Sequence, residues 1–332
     1  MSEKEINKKE ISTVKQEIST GKKELKQDVT VEAASSKMDF NAKVPHLTIS
    51  PGATAEQIID VLINTPKEQL MPWEDCWLPS RGVYYGGKIP GGKVKVRPMG
   101  IDVDKIFATA RLTQTNQAID YMFRSCIKLP DVSMDSLDLI NGDRTFLIFF
   151  LRGITHGNLY EFIVTCPDDN CKAEFTYEYD LNKLGNTIRH PQFESEPVKV
   201  VLPYLSEVAQ RECWVGVRYL RGYDMRTIQT YQRNKERVVG GANNKVPINE
   251  AIESNLNLVI ESINGIQDKI KISQIVKAMH TKDTQAVRRF LDDTMPGIGT
   301  DIKIACPDCG HEFTLDLPIT ETFFRPKDTR GV

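Results

Sequence analysis

Hydrophobic residues recur along this 332-residue chain at two spacings, which together predict helices mixed with short strands. Helical spacing predicts helices at 55–63, from 103, and at 113–127, 144–152, 224–237, 249–263, 273–280 and 284–294. Alternation of apolar and polar positions predicts strands at 159–165, 173–179, 198–202, 214–220, 302–305 and 312–317. The fold class expected from this mixture is α+β.

Local signals add detail to three of these elements. Thr54 and Gln57 form a capping box at the start of the first helix. Asp143 stands just before an apolar run, where it is expected to cap the helix at 144–152. Glycine and proline punctuate residues 76–98, which predicts a β-hairpin or two short strands with a glycine-rich tip.

The first 38 residues differ from the rest, with eight Lys, seven acidic residues and no aromatic residue or Pro. Such a segment buries too little apolar surface to offset the entropy of ordering, so a disordered tail is expected. A seven-residue period nevertheless places Ile11, Ile18 and Leu25 on one helix face. Two interpretations follow: a solvated tail, or a short helix that orders on a partner.

Four cysteines carry the strongest chemical signal. Cys166 and Cys171 are spaced C-x4-C, and Cys306 and Cys309 are spaced C-x2-C. Each pair lies between two strand-like segments and therefore at the tip of a predicted hairpin. Two facing hairpins would supply four thiolates in a tetrahedron, which is the arrangement of a structural zinc ribbon. One structural Zn²⁺ is expected, with iron in a rubredoxin-like site as the alternative.

The distance between the two pairs suggests how the chain is organised. A disordered tail at 1–38 would precede an N-terminal α+β domain at 39–165. The C-terminal region, 166–332, would carry a helical insertion at about 180–300 between the two zinc knuckles. A bound metal would then tie the ends of this insertion together.

Composition and charge exclude several classes of protein. Lys plus Arg number 43 and Asp plus Glu 45, so the formal charge of −2 argues against a coat for nucleic acid or an anionic membrane. The longest apolar run, 146–151, is too short for a membrane span, and the N-terminus lacks the apolar region of a signal peptide. We therefore expect a reducing cytoplasm, where disulfides rarely persist.

Sequence signatures of enzymes are missing: HExxH, GxSxG and GxGxxG after a strand do not occur. Residues 82–88 match G-x4-G-K, but Ile89 and Pro90 follow where a phosphate-binding loop needs Ser or Thr and then a helix. We expect a protein that is not an enzyme and has no small-molecule substrate.

Three blocks of sequence carry a resemblance to a known family. They are WLPSRGVYYGG with KVKVRPMGIDVDKIF (77–107), LINGDRTFLIFFLRGITHGNLYEFIVTCPDDNC (139–171) and CPDCGHEFTLDLPITETFFRP (306–326). In this order they resemble the baseplate hub assembly proteins of T-even-type contractile-tailed phages. The resemblance implies a non-enzymatic protein of tail morphogenesis whose partners are baseplate hub and tail proteins. It would act in the host cytoplasm during assembly, either leaving afterwards or staying in the virion as a tail baseplate component.

Contacts with such partners would need exposed anchors. The candidates are Tyr84 and Tyr85 on the glycine-rich hairpin, and Phe323 and Phe324 near the C-terminus. The alternative for each pair is packing against the core of the chain itself.

A zinc-ribbon nucleic-acid-binding protein, related to transcription, is the competing function. The acidic residues Asp168, Asp169 and Glu174 at the first knuckle argue against it.

Overall fold

The structure is a computed structural model that describes residues 47, 49–109, 115–239 and 248–326. The helices are α1 (Ala55–Asn64), α2 (Lys67–Leu70), α3 (Ile101–Thr109), α4 (Thr115–Cys126), α5 (Asn141–His156), α6 (Pro203–Ala209), α7 (Gly222–Val239), α8 (Ile248–Val259), α9 (Lys269–Ala278), α10 (Thr281–Thr294) and α11 (Glu321–Phe324). The strands are β1 (Glu74–Trp77), β2 (Lys93–Val96), β3 (Ile127–Lys128), β4 (Leu159–Thr165), β5 (Glu174–Asp180), β6 (Val198–Val201), β7 (Trp214–Val217), β8 (Ile260–Ile263), β9 (Asp301–Ala305) and β10 (Glu312–Asp316). This mixture of helices and short strands confirms the α+β class.

The strands pair in small antiparallel sheets. Strands β1, β2 and β3 form one sheet and β6, β7 and β8 another, while β4–β5 and β9–β10 are two-stranded hairpins. Within β4, residues at alternate positions are buried, as expected when one face of a strand packs on a core. The antiparallel pairing of β1 with β2 confirms the predicted hairpin at 76–98, whose two strands are joined by the glycine-rich loop.

Helix α5 is the centre of the first core. Its run Phe146–Leu151 is almost entirely buried, in a core cluster that also contains residues of α3, β4 and the C-terminal segment. The ring of Phe149 packs edge-on against that of Phe323 in this segment. The predicted cap at Asp143 is wrong: the helix begins at Asn141, and the Asp143 side chain points instead into the core. The helix starts three residues earlier than predicted, which places this carboxylate inside its first turn.

A second core is formed by buried residues that fall between positions 198 and 287 of the sequence. The three-stranded sheet β6–β7–β8 packs there against α8, α9 and α10. The predicted helix at 249–263 is wrong in its last turn, since the chain becomes extended at Ile260. Ile263 and Ser262 pair with Val215 and Gly216 of β7, so the edge of that sheet supplies their backbone hydrogen bonds.

The glycine-rich loop packs into the first core and also reaches Phe193, which packs against the second core. Tyr84 packs edge-on against Tyr219 with ring centroids 5.1 Å apart, and its hydroxyl donates to the carbonyl of Phe193. Gly82 has a φ of +78°, and a Cβ there would lie 1.9 Å from the carbonyl oxygen of Ile89. A side chain at that position would therefore force the loop open.

Three expectations remain without a test. The predicted tail, residues 1–38, lies outside the described residues. So does the GGANN stretch at 240–244, whose glycine and asparagine residues predict a loop. The division into domains at 39–165 and 166–332 stays a prediction. In the ranges that the structure describes, no helix is long and apolar enough to cross a membrane.

Candidate metal centre

Two hairpin tips bring the four cysteines together. The β4–β5 hairpin closes with the backbone N–H of Cys166 donating to the carbonyl of Ala173 at 2.9 Å. The β9–β10 hairpin closes in the same way, with the N–H of Cys306 donating to the carbonyl of His311 at 2.9 Å. The two knuckles thus share one construction, although Cys171 and Cys306 are 135 residues apart in the sequence.

The four sulfur atoms form a compact group. The Sγ atoms of Cys166 and Cys309 are 3.7 Å apart, those of Cys171 and Cys306 are 3.8 Å apart, and all four lie within 4.8 Å of one another. Four thiolates about 2.3 Å from a tetrahedral Zn²⁺ have sulfur–sulfur separations of about 3.8 Å. A disulfide would need about 2.05 Å. The geometry fits a shared metal ion and excludes disulfides between these thiols.

The turn after each second cysteine has the same backbone conformation. Lys172, which follows Cys171, has a φ of 49°, and Gly310, which follows Cys309, has a φ of 73°. In this left-handed region the chain can reverse and enter the outgoing strand. The carbonyl of Asp168 accepts from the N–H groups of both Cys171 and Lys172 at 3.1 Å, which fixes the wider first turn.

Backbone dipoles favour the thiolate form at the second knuckle. The N–H group of Cys309, followed by that of Asp308, lowers the pKa of Cys306 to about 7, against the opposing effect of burial. Cys166 and Cys306 are buried, whereas Cys309 is exposed. The cluster therefore lies at the surface with two of its thiols facing inward. Because the protein supplies all four ligand positions, a metal bound here would be structural and would have no open position for a substrate.

The other three cysteines lie apart from this cluster. Cys76 and Cys126 are buried, and burial raises the pKa of the Cys126 thiol to about 12. Cys213 is only partly buried. None of the three belongs to the four-cysteine cluster found among the described residues.

The four predicted aromatic anchors are buried. Tyr84 and Tyr85 are each 6% exposed, Phe323 is 0% exposed and Phe324 is 2% exposed. The exposure that the prediction assumed is therefore wrong. The alternative, packing against the chain's own core, describes all four rings.

Each of these rings has a partner inside the chain. The ring of Phe323 lies 5.0 Å from that of Phe149, and the ring of Phe324 stacks at 4.1 Å on that of Phe107. These contacts hold the C-terminal segment on the first core. Partner contacts through the four rings stay a prediction.

A buried polar cluster escaped the sequence analysis. Both oxygens of Asp143 accept hydrogen bonds: Oδ1 from the N–H of Ser80 at 3.0 Å, and Oδ2 from the hydroxyls of Ser80 and Tyr85 at 2.5 Å. The Tyr85 oxygen in turn accepts from the N–H of Ile140. Burial raises the pKa of Asp143 to about 6, although these donors favour the charged form. Nothing in the sequence spacing links Ser80, Tyr85 and Asp143.

Comparison with known proteins identifies the family. A model of the family described as T4 bacteriophage base plate protein matches residues 83–325, well over half of the chain. The chain belongs to this family. The matched stretch contains all four clustered cysteines and helix α5, and it confirms the resemblance to T4-type baseplate proteins. No curated protein and no solved structure matches the chain.

Proposed function

We propose that this base plate family protein is a non-enzymatic tail morphogenesis protein that assembles, or forms part of, the central hub of the baseplate. The observation that carries the proposal is the family match, which runs through both cores and both cysteine hairpins. The family suggests a structural role in the phage baseplate and in the virion. The hub, and action in the host cytoplasm during assembly, are the finer parts of the proposal.

The metal centre supports a structural role. We propose that Cys166, Cys171, Cys306 and Cys309 hold one Zn²⁺, because four thiols at tetrahedral spacing suit a closed zinc site. The ion would fasten the β4–β5 hairpin to the β9–β10 hairpin. These hairpins flank the second core in the sequence, so the metal would also limit how far that core moves from the first. Elemental analysis distinguishes zinc from iron.

Nucleic-acid binding is not favoured by the surface near the cysteines. Asp169 is almost fully exposed, with 94% of its side chain accessible, and it forms an ion pair with Lys172 that offsets the charge of this lysine. Acidic groups at this tip would repel a phosphate backbone.

The test is to identify what the protein binds during infection. A tagged copy would be expressed from the phage, cross-linked in infected cells, and purified with and without nuclease treatment. The proposal predicts that hub and tail proteins are recovered in both preparations, while an unrelated tagged protein recovers none of them. Recovery of nucleic acid alone, with no baseplate protein, would reject the hub proposal in favour of the nucleic-acid-binding alternative.

A further inference from the structure

Helix α1 is well capped and yet has no buried residue. The Thr54 hydroxyl accepts from the N–H of Gln57, and the Gln57 side chain accepts from the N–H of Thr54, so the helix start is satisfied. Its Ile59, Leu62 and Ile63 are 53%, 42% and 73% exposed. These residues stand at positions i, i+3 and i+4, so they form one apolar face. An exposed apolar face of this kind, rimmed by polar residues, is suited to burial against a partner.

The charges of this helix are all of one sign. Glu56 and Asp60 are the charged residues of α1, and its sequence contains no Lys or Arg. At helical spacing both carboxylates border the apolar face next to Ile63. A surface that covers the face should therefore combine an apolar floor with a basic rim.

A groove of this description lies between α4 and α7, over the first turns of α5. It encloses about 570 Å³, and its lining includes the apolar residues Ile119, Ile148 and Met225. Ile119 and Ile148 are buried and form the floor. Its volume is within the range of protein sites that take ligands of side-chain to drug size.

Arginines dominate the charged lining of this groove. Arg124, Arg144 and Arg226 line it together with a single acidic residue, Asp120. Asp120 pairs with both Arg144 and Arg226 at 2.8 Å, so it cannot neutralise both guanidinium groups. Asp135, outside the lining, lies 3.6 Å from Arg124 as a solvent-exposed pair, which contributes little. Half or more of the Arg124 and Arg226 side chains remains exposed, which leaves positive charge at the rim.

We propose that helix α1 of one molecule docks in the α4–α7 groove of a second copy of this chain. Laying the apolar face of an amphipathic helix into a groove is a common mode of recognition. Ile59, Leu62 and Ile63 enter the groove, and Glu56 and Asp60 meet the arginine rim. The helix does not fill the groove of its own molecule, since none of its residues is buried or lines the groove. The proposal does not depend on the hub assignment.

This contact joins two different surfaces of the same chain. It is therefore heterologous. Repeating it gives a ring when the rotation between neighbouring copies closes, and an open helical filament when it does not. The acidic helix and the basic rim also make the contact sensitive to salt, because exposed charges are screened.

The experiment measures self-association of the full-length protein by sedimentation velocity over a concentration series. The wild type should associate as its concentration rises, and less so at high salt. Ile59→Asp with Ile63→Asp should weaken association at least tenfold, and so should Arg124→Ala with Arg226→Ala. Ile270→Asp is the matched control, because Ile270 is also 73% exposed and helical but lies on α9; it should associate like the wild type.

Mixing the two variants gives the sharpest result. The Ile59→Asp, Ile63→Asp variant keeps an intact groove, and the Arg124→Ala, Arg226→Ala variant keeps an intact helix α1. Together they can form one contact, so the mixture should contain dimers. Circular dichroism and thermal unfolding of each variant check that both remain folded. A wild type that stays monomeric at every concentration, association unchanged by either pair of substitutions, or no dimer in the mixture would overturn the proposal.

Discussion

Replacing Asp143 by Asn should change how stability depends on pH. Asp143 is fully buried, and burial raises its pKa from about 3.8 in the unfolded chain to about 6. A carboxyl with a raised folded-state pKa contributes stability that is present below pH about 4 and is lost as the pH rises through about 6. The amide that replaces the carboxyl in Asp143→Asn does not titrate, so this dependence should disappear from the variant.

The magnitude follows from the size of the shift. Each pKa unit corresponds to about 1.4 kcal/mol, so the full loss between low and neutral pH is about 3 kcal/mol. Part of this loss has already occurred at pH 4.5, where the unfolded carboxyl is mostly ionised. The wild type should therefore lose about 2 kcal/mol relative to Asp143→Asn between pH 4.5 and pH 7.5.

The assay is urea unfolding of the wild type and of Asp143→Asn at pH 4.5 and at pH 7.5. The difference in unfolding free energy between the two proteins is determined at each pH, and the two differences are compared. Comparing the variant with the wild type cancels any metal loss that the two share. Asp135→Asn is a suitable control. Partial burial raises the pKa of Asp135, but hydrogen bonds from the N–H of Leu137 and the Ser136 hydroxyl outweigh this effect, so its pKa lies below the usual value. Asp135 is ionised throughout this range, and its difference should stay nearly constant. A flat difference for Asp143→Asn would refute the reasoning.

The remaining predictions concern the metal, a close backbone approach and the C-terminal segment. Cys309→Ser should abolish binding of about one metal ion per chain and lower stability by several kcal/mol, whereas Cys76→Ser should leave the metal content unchanged; elemental analysis and urea unfolding check both. Gly142→Ala should lower the thermal midpoint, because a Cβ there would lie 1.7 Å from the carbonyl oxygen of Pro296. Phe323→Ala should cost about 3–5 kcal/mol in urea unfolding, because its ring is fully buried; a loss below about 1 kcal/mol would contradict its place in the core.

Local sequence patterns predict the helices and strands whose signals lie within their own residues. The capping box at Thr54 gave the start of α1, and alternation gave β4, β5, β9 and β10. Paired cysteines at the tips of two predicted hairpins are typical of a zinc ribbon, so they predict one cluster of four thiols. The structure brings these thiols together at tetrahedral spacing.

Long-range contacts decided what the sequence could not predict. Ile260 leaves the helical pattern because β7 offers an open edge, and no local signal reports that edge. Tyr84 and Tyr85 are buried because α5 and Tyr219 lie beneath the glycine-rich loop, far away in the sequence. Asp143 shows the same limit, since a residue suited to cap a helix instead accepts hydrogen bonds from Ser80 and Tyr85.

The most direct test of the proposed function is electron microscopy of tails made by a phage that lacks this protein. The account predicts that complete baseplates are not formed, that the defect lies at the central hub, and that the wild-type protein supplied in trans restores infectious particles. The Asp143→Asn and Ile270→Asp variants should also restore them. Infectious particles with normal baseplates in the complete absence of the protein would contradict the account.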